Sequence, residues 1–307
     1  MTSFTHFDPP RQRLLLQRGA IEVEIWPDVA GAVASMRHVG GNSRVDVLRP
    51  TPRLQAYSPT DLACWAMLPY SNRLRDGQLV HEGRAHRLPV NHPGFLHAQH
   101  GLAWIRAWRV QESGADAVTL SLASGPGEDW PFPFEARLDY RLVDDGLEIG
   151  TSLRNLADAP APVGLGQHPY LHRPPGTRLQ ARVGSVWRCD TETLPVAREP
   201  LPARWNLPAG CALDGVFIDN CFEDFAGEAT LHLPDGARVQ VQADASCSHL
   251  VVYNPVDQPF VCIEPVTHMP DAANLALLDA SVPPMPLVAP GDTVQVRHCI
   301  RYHPPAK

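Results

Sequence analysis

The chain has 307 residues, 44% of them apolar and 19% charged, which is the composition of a globular protein with a sizeable core and excludes a disordered one. Its formal charge of -7, without any basic block, excludes a nucleic-acid backbone as partner, and seven cysteines in no framework spacing exclude a disulfide scaffold and a zinc ribbon. No apolar run approaches a membrane span and the opening MTSFTHFDPPRQR has no apolar signal core, so the expected location is cytoplasmic.

In chain order the pattern is one of short strands. Ile21 to Trp26 (IEVEIW) alternates as a half-buried strand does, and Gly31 to Val39 offers a second after a turn. Asp61 to Tyr70 is apolar enough for the core. The SNRLRDG that follows puts Asn72 and Arg73 at a strand end, with Asp76-Gly77 reading as a two-residue hairpin turn. His92, His97 and His100 then fall in one short stretch and invite a metal reading. Their irregular spacing around Pro93 and Gly94 instead favours a loop with incidental histidines.

From Ala117 onward VTLSLAS, ARLDYRL and LEIGTSLRN follow one another, with Asp144-Asp145-Gly146 as the last turn. Val163 to Leu171 sets His168 before Pro169, an extended position; His172 makes an HxxxH pair with it, but not one on a helix. Thr191 to Asp214 reads as a long connection over one rim of a cleft. Asp219 follows in IDNCF, either a site residue or the start of an Asx-turn. ATLHL and ARVQVQA form a hairpin around Pro234-Asp235-Gly236, and Leu250 to Tyr253 and Val294 to Tyr302 supply further strands. The 32 prolines are scattered between these runs as punctuation, and a single all-β domain over 1–307 is preferred to two average ones.

Phe260 to Leu275 (FVCIEPVTHMPDAANL) places Glu264 after a buried-strand run and before Pro265, at the expected end of a strand. A carboxylate so placed needs a partner or takes a raised pKa. Taken together and in this order, LPYSNRLRDG, HGLAW, GQHPYL, DNCF and this last stretch resemble the aldose 1-epimerase (galactose mutarotase-like) family, over most of the chain from Leu68 onward.

The resemblance implies a large antiparallel β-sandwich with a concave sugar-binding cleft. It implies Glu264 as general base and His168 as general acid, and Arg73, His100 and Asp219, with Asn72 beside them, as substrate-binding residues. No cofactor and no metal is implied, and the partner is a small-molecule sugar. An ionised Glu and a protonated His suffice to move the two protons of anomer exchange. Two alternatives stand beside this. A hexose-6-phosphate 1-epimerase could hold its phosphate with Arg73, Arg75 and Arg106, and a carbohydrate-binding module would need no acid/base pair. Gln167, in place of the family's usual Asn, and Thr267-His268-Met269-Pro270 depart from the pattern and put substrate identity in doubt; oligomeric state is not legible.

Overall fold

The computed structural model describes residues 6–40 and 43–306, so the first five residues of the opening stretch lie outside it. Strands carry the described chain, with one short α-helix, Ala272–Leu278. The largest sheet has nine strands in the order Arg109–Ser113, Ala117–Ser124, Phe134–Val143, Gly146–Asn155, Thr293–His303, Arg238–Ala243, Glu228–His232, Arg178–Ala181, Cys211–Ala212. Its neighbours are antiparallel throughout. Phe134–Val143 and Gly146–Asn155 show why one face is buried: Leu138 and Tyr140 point inward with their register partners Thr151 and Ile149, while the intervening residues face out.

A second sheet, of eight strands, runs Pro195–Pro200, Ser185–Cys189, Ile218–Phe222, His249–Asn254, Phe260–Val266, Gly166–Gln167, Ala66–Met67, with Tyr170–His172 also paired to Phe260–Val266. Polar bonds tie the two sheets through the core. His298 Nε2 donates to the Pro265 carbonyl at 2.9 Å, and Gln167 Nε2 donates to Thr151 Oγ1 at 2.9 Å. All seven residues of Phe260–Val266 are buried, because one face of this strand lies on the nine-stranded sheet and the other forms the floor of the cleft. A four-stranded antiparallel sheet, Leu14–Arg18, Ile21–Trp26, Ala32–Gly40 and Ser43–Asp46, completes the layers. The protein is thus an all-β antiparallel sandwich, as its strand pattern leads one to expect.

Three local expectations are corrected. Glu264 lies inside its strand, which runs two residues further to Val266. Asp76 and Gly77 do turn the chain with φ of 54° and 66°, but they close no hairpin. Arg73–Leu74 pairs with Ala98–Gln99, and Gln78–His81 pairs with Arg84–Arg87. A Cβ on Gly77 would fall 2.0 Å from the Leu88 carbonyl oxygen, so close packing on a distant segment demands the glycine. Thr191 to Asp214 is more than a connection: it supplies the strands Pro195–Pro200 and Cys211–Ala212 at the sheet edges. At its start Asp190 pairs with Arg75 at 3.3 Å and Glu192 lies 3.4 Å from His97, but no residue from 190 to 214 borders the cavity described below.

Candidate active site

The site begins as a gap in a β ladder. Phe260–Val266 pairs with Gly166 through Val266 and with Tyr170 through Cys262. Counting in from either side sets His168 directly across from Glu264. Each is followed by a proline, Pro169 and Pro265, which has no N–H to give, so the regular ladder lapses at this point and two side chains share the space. His168 Nε2 lies 3.3 Å from Glu264 Oε1. His168 is fixed by its backbone N–H, which donates to the Trp65 carbonyl at 2.9 Å, and by ring stacking on Trp65 (4.3 Å) and Tyr170 (4.8 Å).

Both groups are nearly closed off from solvent, with Glu264 2% and His168 7% exposed. Burial pushes the Glu264 carboxyl well above the ordinary carboxylate range; Asp219 adds to the rise and Arg73 opposes it. Burial also pushes His168 down to about 3, and Arg49 and Arg73 act in the same direction. Both shifts favour the uncharged forms, a neutral imidazole beside a carboxylic acid. The ion pair expected from the sequence carries the same number of protons and differs by one transfer between the facing atoms. Glu264 Oε2 and His168 Nδ1 are buried without partners, which leaves hydrogen-bonding capacity for a ligand.

Arg73, Asn72 and His100 are held as one unit. Asn72 and His100 both take left-handed backbone, φ 56° and 57°, and bond reciprocally: His100 N donates to the Asn72 carbonyl at 2.9 Å, and Asn72 N donates to His100 Nδ1 at 3.1 Å. Because Nδ1 accepts, the proton of neutral His100 resides on Nε2, which makes that atom a donor. Burial holds His100 well below its ordinary value, with His168 and Arg73 adding to the effect. Asn72 Oδ1 accepts from the Arg73 backbone N at 2.9 Å and from its Nη1 at 3.1 Å. Arg73 then faces Asp219 on Ile218–Phe222, with Nη2 to Oδ2 at 3.6 Å. All six residues named from the sequence therefore border one cavity of about 460 Å³. Asn72 is the one whose carbonyl oxygen is engaged inward, which makes it a positioning residue for Arg73.

The aldose 1-epimerase family model matches residues 12–300. The chain belongs to the aldose 1-epimerase family. The Escherichia coli K12 protein YphB is 26% identical over 221 residues, 69% of this chain and 75% of its own length. The protein YihR of the same strain is 33% identical over 106 residues, 34% of each chain. Among solved structures, an Escherichia coli K12 candidate aldose 1-epimerase superposes with a TM-score of 0.85 at 22% identity, covering 95% of this chain and 99% of the other. A galactose mutarotase-like protein from Clostridium acetobutylicum superposes with a TM-score of 0.83 at 21% identity, covering 94% of each. At such identities these structures speak for the fold alone.

In this aldose 1-epimerase family member the cavity has further walls that the sequence did not single out: Arg49, Trp65, Tyr170, Tyr253, Gln258 and Phe260. Trp65 falls in the Asp61 to Tyr70 run that reads as core in sequence, since an aromatic lining a cleft and one inside a sandwich leave the same pattern. The two departures from the family pattern lie elsewhere. Gln167 points into the core, towards Thr151 and Cys64. His268 accepts from Ser71 N at 3.1 Å through Nε2, and its Nδ1 lies 2.7 Å from the Met269 carbonyl, so it holds the segment before Asn72 in place. Neither borders the cavity.

The three clustered histidines do not converge on an ion. His92 stacks on Phe95 and Trp104, the Asp76 backbone N–H donates to His97 Nδ1, and of the three only His100 joins the cavity with His168 and Glu264. Among the described residues, the donors that could surround a cation are His168, Cys262 and Glu264, within 4.8 Å of one another. Burial raises the Cys262 thiol and the Glu264 carboxyl well above their ordinary values, so a cation would have to displace both protons. The set suits proton transfer better than metal binding.

Proposed function

We propose that this protein is an aldose 1-epimerase that interconverts the α and β anomers of a free aldohexose such as glucose or galactose. The observation that carries the reading is the register-opposed pair: an acid and a base held 3.3 Å apart at the floor of a polar cavity. When a sugar enters, its hydroxyls and Arg73 supply donors to the carboxylate, and the shared proton moves to His168. Glu264 then takes the proton of the C1 hydroxyl while His168 gives its proton to the ring oxygen. The C1–O5 bond breaks, the open-chain aldehyde turns about C1–C2, and closure on the other face returns both protons. Arg73, His100 Nε2 and Asp219 bind the remaining hydroxyls, two as donors and one as acceptor. The same proposal places the enzyme in the cytoplasm as one domain.

The phosphate alternative loses support because its three arginines are not assembled. Arg75 is engaged with Asp190 and Asp271, Arg106 pairs with Asp129, and neither borders the cavity. Polarimetry of fresh α-glucose and α-galactose against their 6-phosphates tests the reading, with acceleration of the free sugars as the expected result. Sugar binding by calorimetry with an unchanged spontaneous mutarotation rate would favour a pure binding module instead.

A further inference from the structure

Arg49 is a charge in the cleft for which the proton chemistry has no use. Its backbone N–H donates to the Tyr170 carbonyl at 2.7 Å. Its guanidinium carbon lies over two cavity rings, 3.9 Å from the Tyr170 centroid and 4.7 Å from that of Phe260. Nη2 donates to the carbonyls of Thr60 (2.6 Å) and Leu62 (2.9 Å), while Nε is buried without a partner. The cavity's other charges answer one another: Arg73 faces Asp219, and His168 and Glu264 share a proton. Among the described residues no carboxylate lies within ion-pair distance of Arg49. One buried-edge cation is thus left uncompensated in a cavity built to take a sugar.

Its position says which part of the sugar it meets. Across the floor of the cleft the order is the His168 and Tyr170 segment, then the Glu264 strand, then His249–Asn254, then the Asp219 strand. Arg49 rides on Tyr170, which itself stacks on His168 at 4.8 Å. It therefore stands on the far side of Glu264 from Asp219. With Glu264 on the C1 hydroxyl and His168 on the ring oxygen, the substituent on C5, the other carbon bonded to that oxygen, extends towards Arg49.

We propose that Arg49 is a specificity residue and that the preferred substrate is an aldose with a single negative charge on its C5 substituent, a uronic acid being the simplest case. This rests on the epimerase reading of the His168 and Glu264 pair. With its Nη2 hydrogens committed to the Thr60 and Leu62 carbonyls, the guanidinium offers one anionic group its single positive charge and its Nη1 hydrogens. A dianionic phosphate would leave a second charge unanswered, since Arg73 already faces Asp219. Such a substrate also assists the chemistry: Arg49 is one of the two cations that lower the proton affinity of His168, and an anion beside it removes that influence.

Anomer exchange at equilibrium, followed by magnetisation-transfer NMR, tests this with D-glucose, D-glucuronic acid and glucose 6-phosphate on the wild type, Arg49→Lys and Arg49→Gln, with the melting temperature of each variant as a control for folding. Expected is a kcat/KM for glucuronic acid on the order of 10- to 100-fold above that for glucose, the range of a hydrogen bond to a charged group. That ratio should shrink as salt is raised, persist in part in Arg49→Lys and collapse towards one in Arg49→Gln. A wild-type ratio near one, or a ratio that Arg49→Gln leaves intact, overturns the assignment, and so does a strict requirement for the 6-phosphate. If none of the three sugars is anomerised the epimerase reading fails by itself. Calorimetric binding then decides: glucuronic acid binding that is lost in Arg49→Gln supports the role of Arg49, and binding that is absent or indifferent to it refutes that role.

Discussion

His168 and Glu264 face each other across a lapse in the ladder and compete for one proton, so their effects on catalysis should be coupled. Glu264→Gln and His168→Asn are each expected to lower kcat by roughly 10²- to 10⁴-fold, with sugar affinity by calorimetry nearly unchanged. The double variant should lose less than the product of the two, since acid and base act as a unit. Turnover by Glu264→Gln within a few fold of wild type, in a buffer that cannot substitute for the carboxylate, would move the base elsewhere. The pH dependence follows from the burial of the pair. Activity belongs to the state with one proton shared between them. A second proton adds only near the pushed-down value of His168, about 3, and the last proton leaves above the ordinary carboxylate range. The kcat/KM profile should therefore be bell-shaped with an acid limb well below the ordinary histidine value of about 6.5. An acid limb centred there would mean that His168 titrates as an exposed histidine does.

The loop-and-strand element from Ser71 to Leu74, laid against Ala98–Gln99 and His100, orients Arg73 and His100 through a single asparagine. Asn72→Gly keeps the left-handed backbone easily and removes both Oδ1 bonds to Arg73, so KM should rise about 10-fold with little change in kcat. Asn72→Ala removes the same bonds and adds backbone strain, for a further stability loss of about 1 kcal/mol. Urea unfolding of the two variants separates the effects, and equal stability would show that the φ of 56° carries no strain. Gly101 is less forgiving, because a Cβ there would sit 2.1 Å from the Leu68 carbonyl oxygen. Gly101→Ala should displace His100 and lower stability severely, by several kcal/mol, as measured in the same unfolding experiment.

Across the whole molecule, buried histidines connect the layers and make the fold acid-sensitive. Burial holds His298, which joins the two large sheets through Pro265, at about 4, and His268, behind the Asn72 segment, also at about 4. In the unfolded chain such groups titrate near 6.5. As pH falls from there towards 4 the unfolded state takes up protons that the folded state refuses, so the stability present above 6.5 is lost on acidification. Each histidine contributes a slope of about 1.4 kcal/mol per pH unit. Calorimetric melting between pH 7 and 4.5 should show this slope, and His298→Asn should flatten it; an unaltered slope would assign the acid loss to other groups. The strand pattern and the all-β class were legible in the linear sequence, because alternation and turn residues are local, whereas the six candidate site residues followed from the family resemblance and the structure brings them round one cavity. Only the tertiary structure decided that Asp76-Gly77 closes no hairpin, that Gln167 faces the core, and that Arg49 joins the cavity as an unanswered charge. Those facts depend on strand register and on which segments distant in sequence become neighbours, and a local pattern carries no record of either. The direction in which the pair's pKa values move is of this kind too, since the residue types set the ordinary values while burial, a property of the packed sandwich, pushes both towards the uncharged forms.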